Sequence, residues 1–150
     1  MKTTPTWILV ADGGQAFVME RTSRTAPLRR ITGFEFKGPR KKSRDIGTDK
    51  PGRVFRSAKS VARAAVGDDK KLAREAEEKF LASVLERLDE RLKGGAFSRL
   101  IPTAPPRVLG ALRKHLSPSF AKTLKGEVRA DLVNAEVDEI VRHIDDMKRA

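Results

Sequence analysis

The stretch Thr6-Trp7-Ile8-Leu9-Val10-Ala11-Asp12-Gly13-Gly14-Gln15-Ala16-Phe17-Val18-Met19-Glu20 decides the fold. Two short apolar runs rich in strand-forming residues, 6–11 and 15–20, lie on either side of Asp12-Gly13. Runs of this length suit buried strands. Asp12-Gly13 is a pair that two-residue hairpin turns favour, because both central residues of such a turn take positive φ. The stretch therefore predicts a β-hairpin with a turn of two to four residues.

The same turn contains Gly13-Gly14-Gln15, the tripeptide that class-one peptide-release factors use to hydrolyse peptidyl-tRNA. A catalytic Gly-Gly-Gln has to reach a distant reaction centre, and for that it needs a long and exposed loop. Here Ala11 and Ala16 hold the tripeptide between two apolar strands, and it could not extend without unpairing both of them. The pattern favours a structural turn over a catalytic loop.

Further along the chain, the pattern predicts a third strand and a long helix. Arg30–Phe36 alternates in polarity and completes an antiparallel meander. From Asp69 to Lys93 an apolar residue recurs every four residues, which predicts one wide stripe facing the core. The stripe consists of Leu72, Ala76, Phe80, Val84, Leu88 and Leu92, flanked by Ala73, Leu81 and Leu85. Asp68 and Asp69 suit the positive N-terminal end of this helix, and Gly94-Gly95 suit its C-terminal cap.

The C-terminal third predicts a crossover unit and a last helix. Ser98–Ala104 is a strand that follows a helix, and Pro105–His115 is a helix opened by two prolines. Lys125–Asp131 is typical of a fifth strand, and Asn134 of the cap of a final helix. The residues of that helix expected to face the core are Val137, Ile140, Val141, Ile144 and Met147.

Together these elements predict an α/β fold in which residues 1–150 form a single domain. Its sheet is mixed, with about five strands and an N-terminal antiparallel meander, and three main helices pack on it. A long basic loop interrupts this domain after the third strand. This loop, residues 37–67, is the basic segment; it shows no periodicity and is punctuated by glycine and proline. A loop of this length is functional or disordered, so the sequence predicts that it is mobile.

Composition limits the chemistry. The chain has no cysteine, which excludes disulfides, thiolate zinc sites and cysteine nucleophiles. Its two histidines, His115 and His143, lie on different predicted helices without metal-ligand spacing. Neither a P-loop nor a dinucleotide fingerprint occurs in the sequence. We therefore predict no catalytic residue, no metal and no cofactor. The apolar run near the N-terminus is too short for a signal peptide or a spanning helix, so the expected location is the cytoplasm.

The net charge of +12 is concentrated in one part of the chain. Residues 21–63 hold fourteen Lys/Arg and three Asp/Glu, a net +11, and the remainder is close to neutral. Clustered cations bind phosphate backbones by releasing counterions. Our candidate nucleic-acid-binding residues are Arg40, Lys41, Lys42, Arg44, Lys50, Arg53, Arg56, Lys59 and Arg63. The residues expected to shape the loop are Asp49, Pro51, Gly52 and Ser57.

The same charges bear on the form of nucleic-acid binding and on three alternatives to it. Aromatic residues for base stacking are scarce near the cluster, with Phe36 and Phe55 the candidates, so backbone binding is the form expected. The first alternative is a solvated loop that has no partner and only adds solubility. An acidic protein partner would also suit the cations. An anionic membrane surface is disfavoured, because no amphipathic helix accompanies the charge.

Four stretches carry a family resemblance that covers nearly the whole chain. They are 7–13 (WILVADG), 49–57 (DKPGRVFRS), 104–113 (APPRVLGALR) and 129–132 (RADL). With these the chain resembles the bacterial host attachment protein family, described as required for attachment to host cells. That family is in turn similar to the middle domain of archaeal and eukaryotic class-one release factors. In that domain the Gly-Gly-Gln tip belongs to the loop after the third strand, which corresponds here to the basic segment.

The resemblance and the charges together predict a cytoplasmic, non-catalytic domain that binds RNA or the ribosome through the basic segment. One alternative is a factor for attachment to host cells that acts through an acidic protein or a surface polymer. Another is a release-factor-like peptidyl-tRNA hydrolase in which Gln15 or a loop residue orients water. The position of Gly-Gly-Gln in the first hairpin, and not in the basic segment, disfavours the hydrolase.

Overall fold

The computed structural model describes residues 4–38 and 59–149, with side chains for 4–38 and 69–147. Within these ranges the chain forms five strands and four helices. The strands are β1 (Thr6–Ala11), β2 (Gln15–Arg21), β3 (Arg29–Lys37), β4 (Arg99–Ala104) and β5 (Val128–Arg129). The helices are α1 (Lys59–Lys93), α2 (Pro106–Lys114), α3 (Pro118–Ala121) and α4 (Val137–Arg149).

The five strands of the described chain form one mixed sheet in the order β3-β2-β1-β4-β5. β1 pairs antiparallel with β2, and β2 with β3, which confirms the predicted meander. β4 pairs parallel with β1, and β5 with β4. Since parallel neighbours need a crossover connection, α1 carries the chain from one end of the sheet back to the other. The predicted α/β class is confirmed.

β1 is the centre of the core because both of its faces are covered. Trp7 and Leu9 point to the side of α1 and α2, whereas Ile8 and Val10 point to the side of α4. All four are at most 3% exposed. A strand buried on both faces has to be apolar at every position, which explains its unbroken run of apolar residues. The result is three layers, with helices on both faces of the sheet.

An aromatic cluster joins the sheet to the connection after α1. Phe97 is almost fully buried, and its ring stacks on Trp7 with centroids 4.4 Å apart. Phe34 meets Trp7 edge-on at 5.2 Å, and Phe120 meets Phe97 edge-on at 6.3 Å. Phe97 lies between two elements of the chain, and no sequence pattern marks it as a core residue. Its importance follows from the packing of four separate segments.

Helix α1 begins at Lys59, ten residues before the predicted start at Asp69. Asp68 and Asp69 therefore lie inside the helix, and the prediction that they mark its N-terminal end is wrong. Residues 59–67 of the basic segment have helical backbone, not the loop predicted for them. The local reason is composition: 58–66 is rich in alanine, and one interior glycine at Gly67 costs only about 1 kcal/mol. At the other end, Gly95 takes the positive φ expected of a C-cap, 81°.

The predicted apolar stripe of α1 is wrong at its N-terminal end. Leu72 is 62% exposed, whereas Leu88 is completely buried. A helix turns by about 100° per residue, so residues four apart drift by about 40° at each step. Over the four steps from Leu88 to Leu72 the drift reaches about 160°, which is the opposite face. From Phe80 onward the prediction is confirmed: Phe80, Val84 and Leu88 of the stripe and the flanking Leu81 and Leu85 are buried, and Leu92 packs against them partly buried.

Two predictions for the C-terminal third are wrong, namely the length of β5 and the cap residue of α4. β5 is limited to Val128–Arg129, because Gly126 with a φ of 111° turns the chain just before it pairs with β4. Asn134 does not cap α4: the first helical hydrogen bond runs from Ile140 N to Glu136 O, so Glu136 occupies the cap position. Val137 is 45% exposed, since it is the first residue of α4.

Candidate functional site

Most of the residues predicted to bind nucleic acid lie outside the described ranges. These are Arg40, Lys41, Lys42, Arg44, Lys50, Arg53 and Arg56, together with the predicted loop-shaping residues Asp49, Pro51, Gly52 and Ser57. Lys59 and Arg63 lie one turn apart near the start of α1, where the backbone alone is described. Their role in binding stays a prediction. The described residues show instead what surrounds the two ends of the basic segment.

The Gly-Gly-Gln tripeptide is part of a closed turn. Ala11 pairs with Ala16, and the amide of Asp12 donates to the carbonyl of Gln15 at 2.9 Å. The Asp12 carboxylate accepts from the amides of Gly14 at 2.7 Å and Gln15 at 2.8 Å. The predicted turn is confirmed, but its type is not, because neither glycine takes positive φ. The carboxylate of Asp12 closes the turn by bonding to the backbone that follows it.

Gly13 brings the hairpin tip into contact with Glu77 of α1, which is held in turn by α2. It is buried, and a Cβ at this position would lie 2.6 Å from Cδ of Glu77. Arg107 holds the Glu77 carboxylate with two hydrogen bonds, Nη1 to Oε1 at 2.5 Å and Nη2 to Oε2 at 3.3 Å. Two stretches that carried the family resemblance, 7–13 and 104–113, therefore meet at the carboxyl ends of β1 and β4.

Replacing Gly13 with alanine should lower the free energy of unfolding by about 1–3 kcal/mol, because the added Cβ displaces the Glu77 carboxylate. Gly110→Ala should have the opposite sign and stabilise by about 0.5–1 kcal/mol. Gly110 lies inside α2, and a Cβ added there would meet no atom within 4 Å. Urea denaturation of both variants measures the difference. A neutral Gly13→Ala would contradict the close contact with Glu77.

The basic segment leaves the sheet at the same end, beside the carboxyl end of β1. The amide of Gly38 donates to the carbonyl of Gly14 at 2.8 Å, and a Cβ on Gly38 would lie 2.8 Å from Cγ of Phe80. Residues 69–75 of α1 are exposed, which is consistent with a helix that extends past this edge. At 1.5 Å per residue, Lys59 lies about 27 Å before Glu77 along the helix. Both ends of residues 39–58 are thus on the carboxyl side of β1.

Seven cations of the described chain are paired with carboxylates. The pairs are Arg21–Asp145, Arg30–Glu35, Lys93–Asp89, Arg107–Glu77, Arg113–Glu127, Lys114–Glu78 and Arg129–Glu127. Pairs at a surface add little stability, about 0–1 kcal/mol each. They do cancel local charge, so the sheet and its helices contribute less positive potential than their number of cations suggests.

A cleft of about 210 Å³ opens beside the hairpin, at the edge where β3 ends. Its lining includes Gln15, Phe17, Arg30 and Asn134. The sequence pattern marked Gln15 only as part of the tripeptide and Asn134 only as a helix cap. Their proximity could not be read from positions so far apart in the sequence.

The described residues offer little other chemistry. No group of three or more His, Asp or Glu side chains in that part of the chain could hold a metal ion. Among the helices of the described ranges, none has an apolar stretch long enough to cross a membrane. Phe36, one of two aromatic residues considered for base stacking, packs against the core beside Phe34.

The fold defines an α/β protein in which a hairpin turn, a long crossover helix and a proline-initiated helix meet at the carboxyl end of β1. Residues 37–38 begin the basic segment at the same place. A family model described as "Protein required for attachment to host cells" matches residues 7–144. The chain belongs to this family, as its sequence resemblance predicted. A search of curated proteins found no match.

Proposed function

We propose that this chain binds RNA, with ribosomal RNA as the first candidate, and that the basic segment makes the contact. The cations Arg40, Lys41, Lys42 and Arg44 form the centre of the contact, and Lys50, Arg53, Arg56, Lys59 and Arg63 extend it. Binding is directed to the phosphate backbone and involves no covalent step. In this proposal the protein acts in the cytoplasm and needs no cofactor.

The observation that carries the proposal is the separation of charge along the chain. Residues 21–63 hold a net +11 of the total +12. In the described part of the chain after residue 63, five ion pairs offset cations on the sheet and helices, and two further pairs offset Arg21 and Arg30 within residues 21–63. A polyanion is attracted to the place where positive charge is not balanced locally. Residues 39–58 carry seven cations against two acids.

The position of the segment also supports the proposal. Gly38 is fixed to the hairpin turn, and α1 returns the chain past the same edge of the sheet. A contact made there leaves both covered faces of the sheet undisturbed. The family's link to host attachment is then indirect, through an effect of RNA binding on other proteins.

Salt dependence tests the proposal most directly. If about five phosphates are contacted, the logarithm of the affinity for a short duplex RNA should fall with log[salt] at a slope of roughly −4 to −5. Single-stranded RNA should give a shallower slope. Fluorescence anisotropy over a series of salt concentrations measures both slopes on the full chain.

Two results would overturn RNA binding. One is a slope near zero, and the other is no binding even at low salt. Crosslinking in cells then identifies the partner. Recovery of ribosomal RNA supports the proposal, whereas recovery of an acidic protein without RNA would favour the attachment factor that acts through a protein partner.

A further inference from the structure

We infer that the cleft beside the hairpin holds an unpaired nucleobase. The inference rests on the proposed RNA binding and deepens it, because it adds a contact that depends on the base to one that depends on charge. It also gives a role to Gln15 that needs no hydrolysis. The side chains that line the cleft and its position beside the basic segment support this role.

The size of the cleft suits one planar ring system. It has a volume of about 210 Å³ and is open to solvent. Sites for drug-sized ligands have volumes of about 300–1,000 Å³, so a whole nucleotide would not be enclosed here. Its polar lining comes from Gln15, Arg30, Glu35, Lys37 and Asn134.

Arg30 provides a flat surface in this cleft. Its Cζ lies 3.8 Å from the centroid of the Phe17 ring, and its Nη1 donates to Oε1 of Glu35 at 3.0 Å. These contacts with the aromatic ring and the carboxylate restrict the orientation of the Arg30 guanidinium group. Proteins that bind single-stranded RNA stack unpaired bases on such guanidinium planes and on aromatic rings.

Two carboxamides can read the edge of a base held on this surface. Gln15 and Asn134 are the one glutamine and the one asparagine of the chain, and both line the cleft. A carboxamide places a donor next to an acceptor, which matches the edge of a nucleobase. The backbone of Gln15 is held by Asp12, and Asn134 lies in a turn closed by Ala135 N to Leu132 O.

The cleft adjoins the point where the basic segment begins. Lys37 lines the cleft, and the next residue, Gly38, is hydrogen-bonded to the hairpin turn. An RNA strand whose phosphates contact the basic segment would pass this edge of the sheet. One unpaired base could then enter the cleft while the backbone stays with the cations.

The variant Arg30→Lys distinguishes binding of a base from binding by charge alone, because it keeps the positive charge and removes the flat guanidinium surface. The probes are a short oligoadenylate and an abasic oligomer of the same length and charge. The unmodified protein should bind oligoadenylate about 10- to 100-fold more tightly than the abasic oligomer. Arg30→Lys should reduce this preference to less than about threefold, with the salt slope unchanged.

Two further variants complete the experiment. Arg129→Lys is the matched control, because Arg129 also pairs with a glutamate. It lies on β5, the edge strand on the other side of the sheet from β3, which carries Arg30. It should keep the full preference. The double variant Gln15→Ala with Asn134→Ala should lose most of it without any change of charge.

The possible failures are distinguishable. If the unmodified protein binds both oligomers equally, or if Arg129→Lys loses as much preference as Arg30→Lys, the base-binding cleft is wrong while RNA binding stands. If neither oligomer binds at low salt, the cleft inference is wrong, and if the short duplex RNA does not bind either, the proposed function is wrong as well.

Discussion

Replacing Arg40, Lys41, Lys42 and Arg44 together with glutamine should weaken RNA binding by about 100-fold or more at roughly 0.1 M salt. Each phosphate contact contributes about 0.9 to the salt slope on a duplex, so four lost contacts should make the slope shallower by about 3 to 4. Anisotropy titrations of the variant and the unmodified protein at several salt concentrations measure both quantities.

The matched control removes the same charge from another part of the chain. Arg99, Lys122, Lys125 and Arg142 are all exposed in the structure. Changing these four to glutamine should alter the affinity by less than about threefold, since charges beyond roughly 10 Å are screened at this salt concentration. Equal losses in the two variants would show that affinity follows net charge alone, and the role of the basic segment would be rejected. Thermal unfolding of both variants verifies that the fold is unchanged.

The second large effect concerns the long helix. Leu88→Ala should lower the free energy of unfolding by about 2–5 kcal/mol, because Leu88 is completely buried and its removal leaves a cavity. For a chain of this size the melting temperature should fall by roughly 4–20 °C. Denaturant titration gives the free energy, and circular dichroism gives the melting temperature.

Leu72→Ala is the internal control for this change. It is the same substitution, in the same helix and in the same four-residue repeat, but Leu72 is 62% exposed. The effect should stay within about 0.5 kcal/mol. If both variants were destabilised equally, the helix would bury the stripe that spacing alone predicts, and the rotation of α1 on the sheet would be wrong.

The elements that were predicted correctly are those whose signal is local. The run of residues 6–11 is apolar at every position, and burial on both faces of a strand requires that pattern. The crossover from α1 to β4 follows from a helix placed between two strand patterns. The predicted start of α1 was wrong because alanine-rich residues 58–66 lack the apolar periodicity that marks an amphipathic helix.

The candidate site was less predictable for a related reason. Glu77 looks like one more charged residue of a helix, yet it contacts Gly13 and pairs with Arg107. Asn134 is a residue type typical of a helix cap, yet it lines the same cleft as Gln15. Each of these contacts joins residues far apart in the chain, and no local pattern encodes such a distance.

The sequence by itself determined the α/β class, the first hairpin, the family and the concentration of positive charge in residues 21–63. These properties depend on residue type and short-range spacing, which the chain carries in linear order. Only the tertiary structure decided which face of α1 is buried, that Gly13 meets Glu77, and that Gln15 and Asn134 share a cleft. The reason is geometric, because such contacts depend on how helices and strands are rotated and stacked against one another.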